Sequence, residues 1–370
     1  MITWRITFNF NKLKALTKQI YNQILLQPEQ VIEEFDLVYT NPSNLKIIRE
    51  REDDNFIFKL KNKIIKEKTE LSRINNLVIP PAWKNVKISE LKNGHLQVVG
   101  RDAKRRKQYR YHPKWNKIRS QTKFYKMYLF GQQLPNIRAQ VDLDLDQNTW
   151  TKTKVLALIV RLMEETHIRV GNTQYAKRNK TYGLTTLRSK HVKTYKDRIL
   201  FEFTGKKGKE YRISLRNKKL IRLVNKCEDI PGWELFQYYD EFGEKHKVDS
   251  TMLNDYLKTL SGTLFTAKDF RTWAASIICF ETLKSIGYVS NVKQNNKNII
   301  QAIDIAAQQL GNSRNVCKKY YIHPAVISSY QDGTIVNYFK QEALARKTAN
   351  FTKMEHVMMQ LLKSYQPQFD

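Results

Sequence analysis

Cysteine is nearly absent from this 370-residue chain: Cys227, Cys279 and Cys317 stand far apart, with no CxxC pair. That argues against a disulfide framework or a cysteine-built zinc site and suits a reducing compartment. Glycine is thin as well, at 13 residues, and neither a GxxxxGK[ST] nor a GxGxxG loop occurs. Gly205-Lys206-Lys207-Gly208 is too glycine-poor for either, so nothing points to ATP or another cofactor. No apolar run approaches the ~20 residues that cross a bilayer. The first residues lack a long apolar core, so no secretory signal is expected. Acid is the last shortage: 35 Asp+Glu against 65 Lys+Arg leave a net charge of +30, and residues 1–28 hold no acid at all. A surplus of that size attracts polyanions, nucleic acid first among them, and implies a cytoplasmic, or in a bacterium nucleoid-associated, protein rather than a membrane one.

What is present suffices for cores, with 41% apolar residues, and the length predicts two domains. Residues 1–40 form an extension of unknown role, with a strand-like start (Ile2 to Phe10) and a basic helix (Lys12 to Leu26). Residues 41–131 alternate in short segments, Phe56 to Leu60, Leu77 to Ile79 and Leu96 to Val99, separated by Asn-Pro, Pro-Pro and Asn-Gly signals. This predicts a small β-rich domain leading into a helix over Lys114 to Phe130. Residues 132–370 read as mainly helical, and the whole chain as α+β. Lys152 to His167 carries Val155, Leu156, Ile159, Leu162 and Met163 at helical spacing. Further helices are expected at Lys218 to Asn225, Met252 to Leu260, Phe270 to Leu283, Gln294 to Gln309 and Gln341 to Ser364. Strands are expected at Gly183 to Leu187, Arg198 to Phe203 and Glu210 to Leu215, the last two joined by a hairpin turn at Gly205–Gly208.

The densest basic stretch runs from Arg101 to Arg110, with six Lys/Arg against the single acid Asp102. Such a stretch is commonly a solvated loop. With this net charge it reads instead as a grip on double-stranded DNA, salt-dependent through counterion release. Arg106, Lys107 and Arg110 would meet phosphates, Gln108 a base edge, and Tyr109 and Tyr111 phosphate or sugar. Lys268 is a further candidate contact.

Four residues suggest chemistry. Phosphoryl transfer without a metal needs an in-line nucleophile, cations on the equatorial oxygens and a proton for the leaving oxygen. Arginine suits the oxygens because its planar fork donates two bonds and stays charged. Lysine can give up a proton, and tyrosine forms an ester that departs readily in reverse. Arg169 follows the Lys152 to His167 helix, where a plain helix-end cation is the ordinary reading. Lys206 occupies the hairpin tip, Arg271 opens an apolar helix, and Tyr321 stands next to Tyr320, either of which could be a core tyrosine. Each signal is weak alone; together, in this order, they are strong.

In its motifs the chain resembles the type IB DNA topoisomerases of the compact bacterial and poxvirus branch. The matching segments are Ile79-Pro80-Pro81-Ala82-Trp83, Gln108-Tyr109-Arg110-Tyr111-His112-Pro113, Ile168-Arg169-Val170-Gly171-Asn172, Tyr182-Gly183-Leu184-Thr185-Thr186-Leu187, Lys268-Asp269-Phe270-Arg271-Thr272-Trp273 and Tyr321-Ile322-His323-Pro324. The resemblance implies a β-rich domain plus a helical catalytic domain of the tyrosine-recombinase type, closing on DNA as a C-shaped clamp, in a monomer that needs neither metal nor ATP. It implies Tyr321 as the nucleophile forming a 3′-phosphotyrosyl link, Arg169 and Arg271 on the nonbridging oxygens, and Lys206 as general acid to the 5′-oxygen. Asn312 stands where this superfamily usually has histidine, as in bacterial members; it can donate a neutral hydrogen bond but carries no charge. Arg105 stands where relatives commonly have glycine. A site-specific tyrosine recombinase shares the chemistry, but such enzymes typically carry His-x-x-Arg where this chain has Lys268-Asp269-Phe270-Arg271. A catalytically silent DNA-binding protein is the remaining rival.

Overall fold

The computed structural model describes residues 23–24, 27–262 and 265–365. The chain divides into two compact units, one running through Tyr125 and the other covering Lys126–Tyr365. The architecture is mixed α/β, with small antiparallel sheets and a helix-rich second unit.

The first unit is built on strands β1 (Ile47–Glu52), β2 (Asn55–Leu60), β3 (Lys63–Ile64), β4 (Lys84–Ile88), β5 (Leu96–Arg101) and β6 (Lys107–Tyr111), in the order β3-β2-β1-β4-β5-β6. Alternation sets the faces: in β4, Val86 and Ile88 point inward while the lysines point out. With Ile47, Phe58 and Val98 they meet Ile74 of helix α1 (Lys68–Asn76), an element the sequence reading lacked. Each such fully buried aliphatic side chain contributes roughly 1.5–3 kcal/mol. The expected strand Ile2 to Phe10 lies outside the described residues, as does most of the expected helix Lys12 to Leu26.

Leu77 to Ile79 is not a strand. Val78 has φ +48 and is exposed, and two prolines follow it without N–H groups for a ladder. Side chains take the segment's carbonyls instead: Arg110 Nη2 donates to Val78 O at 2.5 Å, and Arg49 Nη2 to Pro80 O at 3.2 Å and Trp83 O at 2.6 Å.

Helix α2 runs from Pro113 to Leu145, well past the expected end, and the division between the units falls within it. In the second unit, α3 (Lys152–Thr166) is buried on nearly every side, from Val155 through Val160 and again at Leu162 and Met163, which makes it a central core helix. After α4 (Thr173–Asn179) come β7 (Val192–Thr194), β8 (Ile199–Thr204) and β9 (Glu210–Leu215), an antiparallel sheet in that order. Then follow α5 (Lys218–Glu228), the short pair β10 (Gln237–Tyr239) and β11 (Lys245–Lys247), α6 (Ser250–Ser261), α7 (Ala267–Ile286), α8 (Val292–Gln309), α9 (Arg314–Tyr320), α10 (Pro324–Gln331), α11 (Ile335–Lys340) and α12 (Lys353–Lys363).

Two further expectations fail here. Gly183 to Leu187 is a 3-10 turn, because the N–H groups of Leu184 and Thr185 go to Arg169 O and Val170 O, while Thr186 N–H bonds Gly183 O. Gln341 to Ser364 is not one helix: a 3-10 turn (Gln341–Ala343) ends, and a new helix begins only at Lys353. Its start is a capping box in which Thr352 Oγ1 accepts from Glu355 N and a Glu355 oxygen accepts from Thr352 N. The Thr-x-x-Glu signature was present in the sequence.

Candidate active site

Arg169 is placed by how α3 ends. His167 adopts a left-handed conformation (φ +53) and turns the chain, after which Ile168 is buried and anchors the next residue. The segment is then pinned from the side by Leu184 N–H on Arg169 O, at 2.8 Å. Gly183 permits this approach, since a side chain there would collide with the Arg169 carbonyl and the Gly171 backbone. The guanidinium reaches two partners 2.5 Å away: Nη1 donates to Tyr211 Oη and Nη2 to Asn312 Oδ1.

Arg271 lies in the first turns of α7 and is only 6% exposed. Its Nη2 donates to Leu310 O at 2.7 Å and its Nη1 to His167 O, so the residue that turns the chain toward Arg169 also holds Arg271. Burial lowers its pKa, and the neighbouring Arg169 charge adds to the effect; Tyr321 opposes both. The Arg271 guanidinium carbon is 5.5 Å from the centre of the Tyr321 ring.

Tyr321 caps α9, and its N–H bonds Cys317 O at 2.9 Å. Pro324 starts α10 and forces His323 into an extended conformation, so the three residues between the helices, Tyr321 to His323, are held in a sharp bend. Ser276, fully buried on α7, grips both sides of that bend: its Oγ donates to Tyr321 O at 3.2 Å and accepts from His323 N at 2.9 Å. Tyr320 is exposed and pairs with Lys319 instead.

The electrostatics single this cluster out. Buried charges are ordinarily paired, because an uncompensated one costs several kcal/mol. Yet among the described residues neither Arg169 nor Arg271 has a carboxylate partner. The nearest acid on α7, Asp269, is taken by Lys126 at 2.8 Å. Two buried donor atoms, Arg271 Nε and Asn312 Nδ2, have no hydrogen-bond partner among the described residues. Three donor-bearing residues, Arg169, Arg271 and Asn312, thus leave donor groups short of acceptors, and acceptors are what a bound phosphate supplies. Asparagine has a double use here, since its oxygen steadies Arg169 while its amide N–H remains to be satisfied.

Lys206 sits on the exposed tip between β8 and β9, where Lys207 (φ +66) and Gly208 (φ +75) make the turn; among the described residues Lys206 has no hydrogen-bond or ion-pair partner. Lys268 is exposed on the first turn of α7. In the first unit, the basic segment is partly occupied with itself. Asp102 accepts from Arg106 Nε at 2.7 Å and Gln108 Nε2 at 3.0 Å, and Arg110 is held by Val78 O. Lys107 lies over the Tyr109 ring, which stacks on Tyr111 with centres 6.0 Å apart. Arg105 has φ +57, which explains why glycine suits this position. Left-handed backbone costs a non-glycine residue ~1–2 kcal/mol, partly offset by the ~0.5–1 kcal/mol that glycine's freedom costs on folding. Arg105→Gly is therefore expected to leave stability unchanged or raise it by up to ~1 kcal/mol in denaturant titration, and to lower the salt slope of DNA binding by no more than ~1.

Tyr211 and Ser276 escaped the sequence reading. Each acts through a partner far along the chain, 42 residues for Tyr211 to Arg169 and 45 for Ser276 to Tyr321, and no local pattern marks them. His167 adds a pH signature: burial, then the Arg271 charge, push its pKa down to about 4. The depressed value means the unfolded chain takes up the proton first. Stability is then whole above about pH 6.5 and drains as pH falls toward 4, by up to ~3 kcal/mol at 1.36 kcal/mol per unit. His167→Asn tolerates the same backbone and should flatten that part of an acid-denaturation curve.

Among the described residues no group of three His, Cys, Asp or Glu side chains could hold a metal ion, and no helix is long and apolar enough to cross a membrane. Two family models match the chain. Residues 112–349, well over half of it, match the catalytic core of eukaryotic DNA topoisomerase I, and residues 57–102 match the N-terminal domain of bacterial DNA topoisomerase IB. The chain is 34% identical over 295 residues to DNA topoisomerase 1B of Acanthamoeba polyphaga mimivirus, covering 77% of this chain and 88% of that protein. It is 24% identical over 243 residues to DNA topoisomerase I of monkeypox virus and 23% identical over 243 residues to DNA topoisomerase 1B of vaccinia virus (strain Copenhagen), in each case covering 64% of this chain and 73% of the relative.

Proposed function

The chain belongs to the type IB DNA topoisomerases and relaxes supercoiled DNA, and from that premise we propose that it does so by the following division of labour. Tyr321 Oη attacks the scissile phosphate in line, its proton passing to water. The bond from phosphorus to the 5′-oxygen breaks, its electron pair stays on that oxygen, and Lys206 supplies the proton. The result is a 3′-phosphotyrosyl ester and a free 5′-hydroxyl. Arg169, Arg271 and Asn312 hold the nonbridging oxygens as negative charge gathers there. Torsion then turns the duplex about the intact strand, and the 5′-hydroxyl attacks the ester to reseal. Since the ester keeps the energy of the broken bond, no nucleotide is consumed.

The observation that carries this reading is the pair of arginines that, among the described residues, have no carboxylate partner, together with the buried Arg271 Nε and Asn312 Nδ2 that find no acceptor there, beside the ring of Tyr321. The charge that a metal would otherwise bring is available from arginine and lysine. The same proposal includes a monomer acting on double-stranded DNA, with the β-rich domain (41–131) and the helical catalytic domain (132–370) closing on the duplex as a C-shaped clamp. Arg106, Lys107, Gln108, Tyr109, Arg110, Tyr111 and Lys268 would supply DNA contacts. Gln108, Arg106 and Arg110 would first have to exchange their internal partners.

The test is relaxation of positively and negatively supercoiled plasmid in EDTA without nucleotide, with the covalent adduct mapped to its residue and to the 3′ end of the cut. Failure to relax, or an adduct on the 5′ end, would reject the proposal.

A further inference from the structure

Lys206 has nothing of its own to hold it. It is exposed, partnerless among the described residues, and carried on a turn. Its position depends on whatever fixes the root of the β8–β9 hairpin. Thr204 Oγ1 donates to Glu210 across it at 2.7 Å, and one ring ties it to the rest of the cluster. Tyr211, paired with Phe203 across the two strands, stacks on that ring with centres 5.2 Å apart and planes 6° from parallel. Its hydroxyl bonds twice into the phosphate site, accepting from Arg169 Nη1 at 2.5 Å and donating to Gly311 O at 3.2 Å. Gly311 immediately precedes Asn312. The ring is seated between two glycines, Gly205 and Gly311, and a β-carbon on either would collide with it.

We propose that Tyr211 is a positioning residue for the general acid: its hydroxyl ties the hairpin root to the Arg169–Asn312 cradle, so that Lys206 arrives in register with the phosphate. One residue thereby links the group that grips the nonbridging oxygens to the strand that delivers the proton, and a rigid stacked ring transmits the position. The inference rests on the reading of Lys206 as the acid and adds the residue through which that acid is placed.

The experiment compares Tyr211→Phe with wild type and with Lys206→Ala in single-turnover cleavage of two suicide substrates, one with the ordinary 5′-oxygen and one with a 5′-sulfur leaving group. Sulfur needs no proton to depart. Tyr211→Phe keeps the ring, its stacking and its glycine seat, and loses only the two hydroxyl bonds. Cleavage of the oxygen substrate is expected to fall ~10–100-fold, the scale of an ångström-level misplacement, with DNA affinity within about twofold. The 5′-sulfur substrate should restore cleavage to within a few fold of wild type, as it should for Lys206→Ala. Gly205→Ala, which pushes on the ring from the other side in an extended conformation that alanine accepts, should give the same pattern. Wild-type cleavage of the oxygen substrate by Tyr211→Phe would overturn the inference. So would a deficit that persists undiminished on the sulfur substrate, which would assign Tyr211 to Arg169 alone. If sulfur fails to rescue Lys206→Ala itself, the general-acid reading falls; if it rescues Lys206→Ala but not Tyr211→Phe, only the positioning role falls.

Discussion

Tyr321→Phe is expected to leave supercoiled plasmid unrelaxed under conditions where the wild type relaxes it completely, a loss of at least ~10⁴-fold in rate, as when an enzyme's nucleophile is deleted. No covalent adduct should form on a suicide substrate. The loss should be chemical and not structural. Phenylalanine retains the ring beside Arg271, and the backbone contacts to Cys317 and Ser276 do not involve the hydroxyl. Binding of DNA is therefore expected within about twofold of wild type. Tyr320→Phe is the companion variant. Adjacent residues on a helix point ~100° apart, and Tyr320 is exposed beside Lys319, so its loss should change relaxation by less than about threefold. An inactive Tyr320→Phe with an active Tyr321→Phe would exchange the two assignments.

The largest effect on stability is expected at Glu355, far in sequence from the cluster around Tyr321 but connected to it through α7. Glu355 is 3% exposed. It accepts from Arg138 Nη1 and Nη2, both at 2.9 Å, and from Trp273 Nε1 at 2.9 Å. It also caps its own helix. The carboxylate thus joins α2, α7 and α12 at one point. Glu355→Ala strands a buried guanidinium and an indole N–H and should cost ~3–5 kcal/mol, read as a lowered midpoint in denaturant. Glu164, 2.8 Å from Arg138 Nε, keeps the loss toward the lower end. The pair Arg138→Met with Glu355→Leu should cost less than Glu355→Ala alone, since no charge is then left unpaired and Glu164 still has Arg161. A double variant worse than the single one would mean that the pair is net stabilising. Because Trp273 lies two residues beyond Arg271, partial unfolding here should also lower the cleavage rate.

Local signals made much of this legible. The strand expected at Glu210 to Leu215 has those bounds, and the apolar stripe of Lys152 to His167 locates the central helix within one residue of its end. What misled was the reading of apolar runs whose backbone groups find partners elsewhere. Leu77 to Ile79 looks like a strand until Arg49 and Arg110 are seen to take its carbonyls. Gly183 to Leu187 looks like one until its N–H groups are traced to the Arg169 segment. For the site, residue type and order pointed to Arg169, Lys206, Arg271 and a tyrosine at 320 or 321, while the family resemblance selected Tyr321 and added Asn312. The groups that hold them did not show, because Tyr211 and Ser276 are ordinary residues in ordinary elements. Their roles arise only when segments about 40 or more residues apart are folded together.

Arg271 and Ser276 ride on one helix, one holding the carbonyls of His167 and Leu310 and the other clasping the backbone of Tyr321. Their spacing is therefore a fixed ruler. Removing or adding one residue among Thr272–Ala275 would swing Ser276 by ~100° and shift it ~1.5 Å along the axis, while Arg271 stayed with its own carbonyls. Tyr321 and Arg271 would then part company without either being replaced. Change of length, more than change of identity, is what this stretch should not survive.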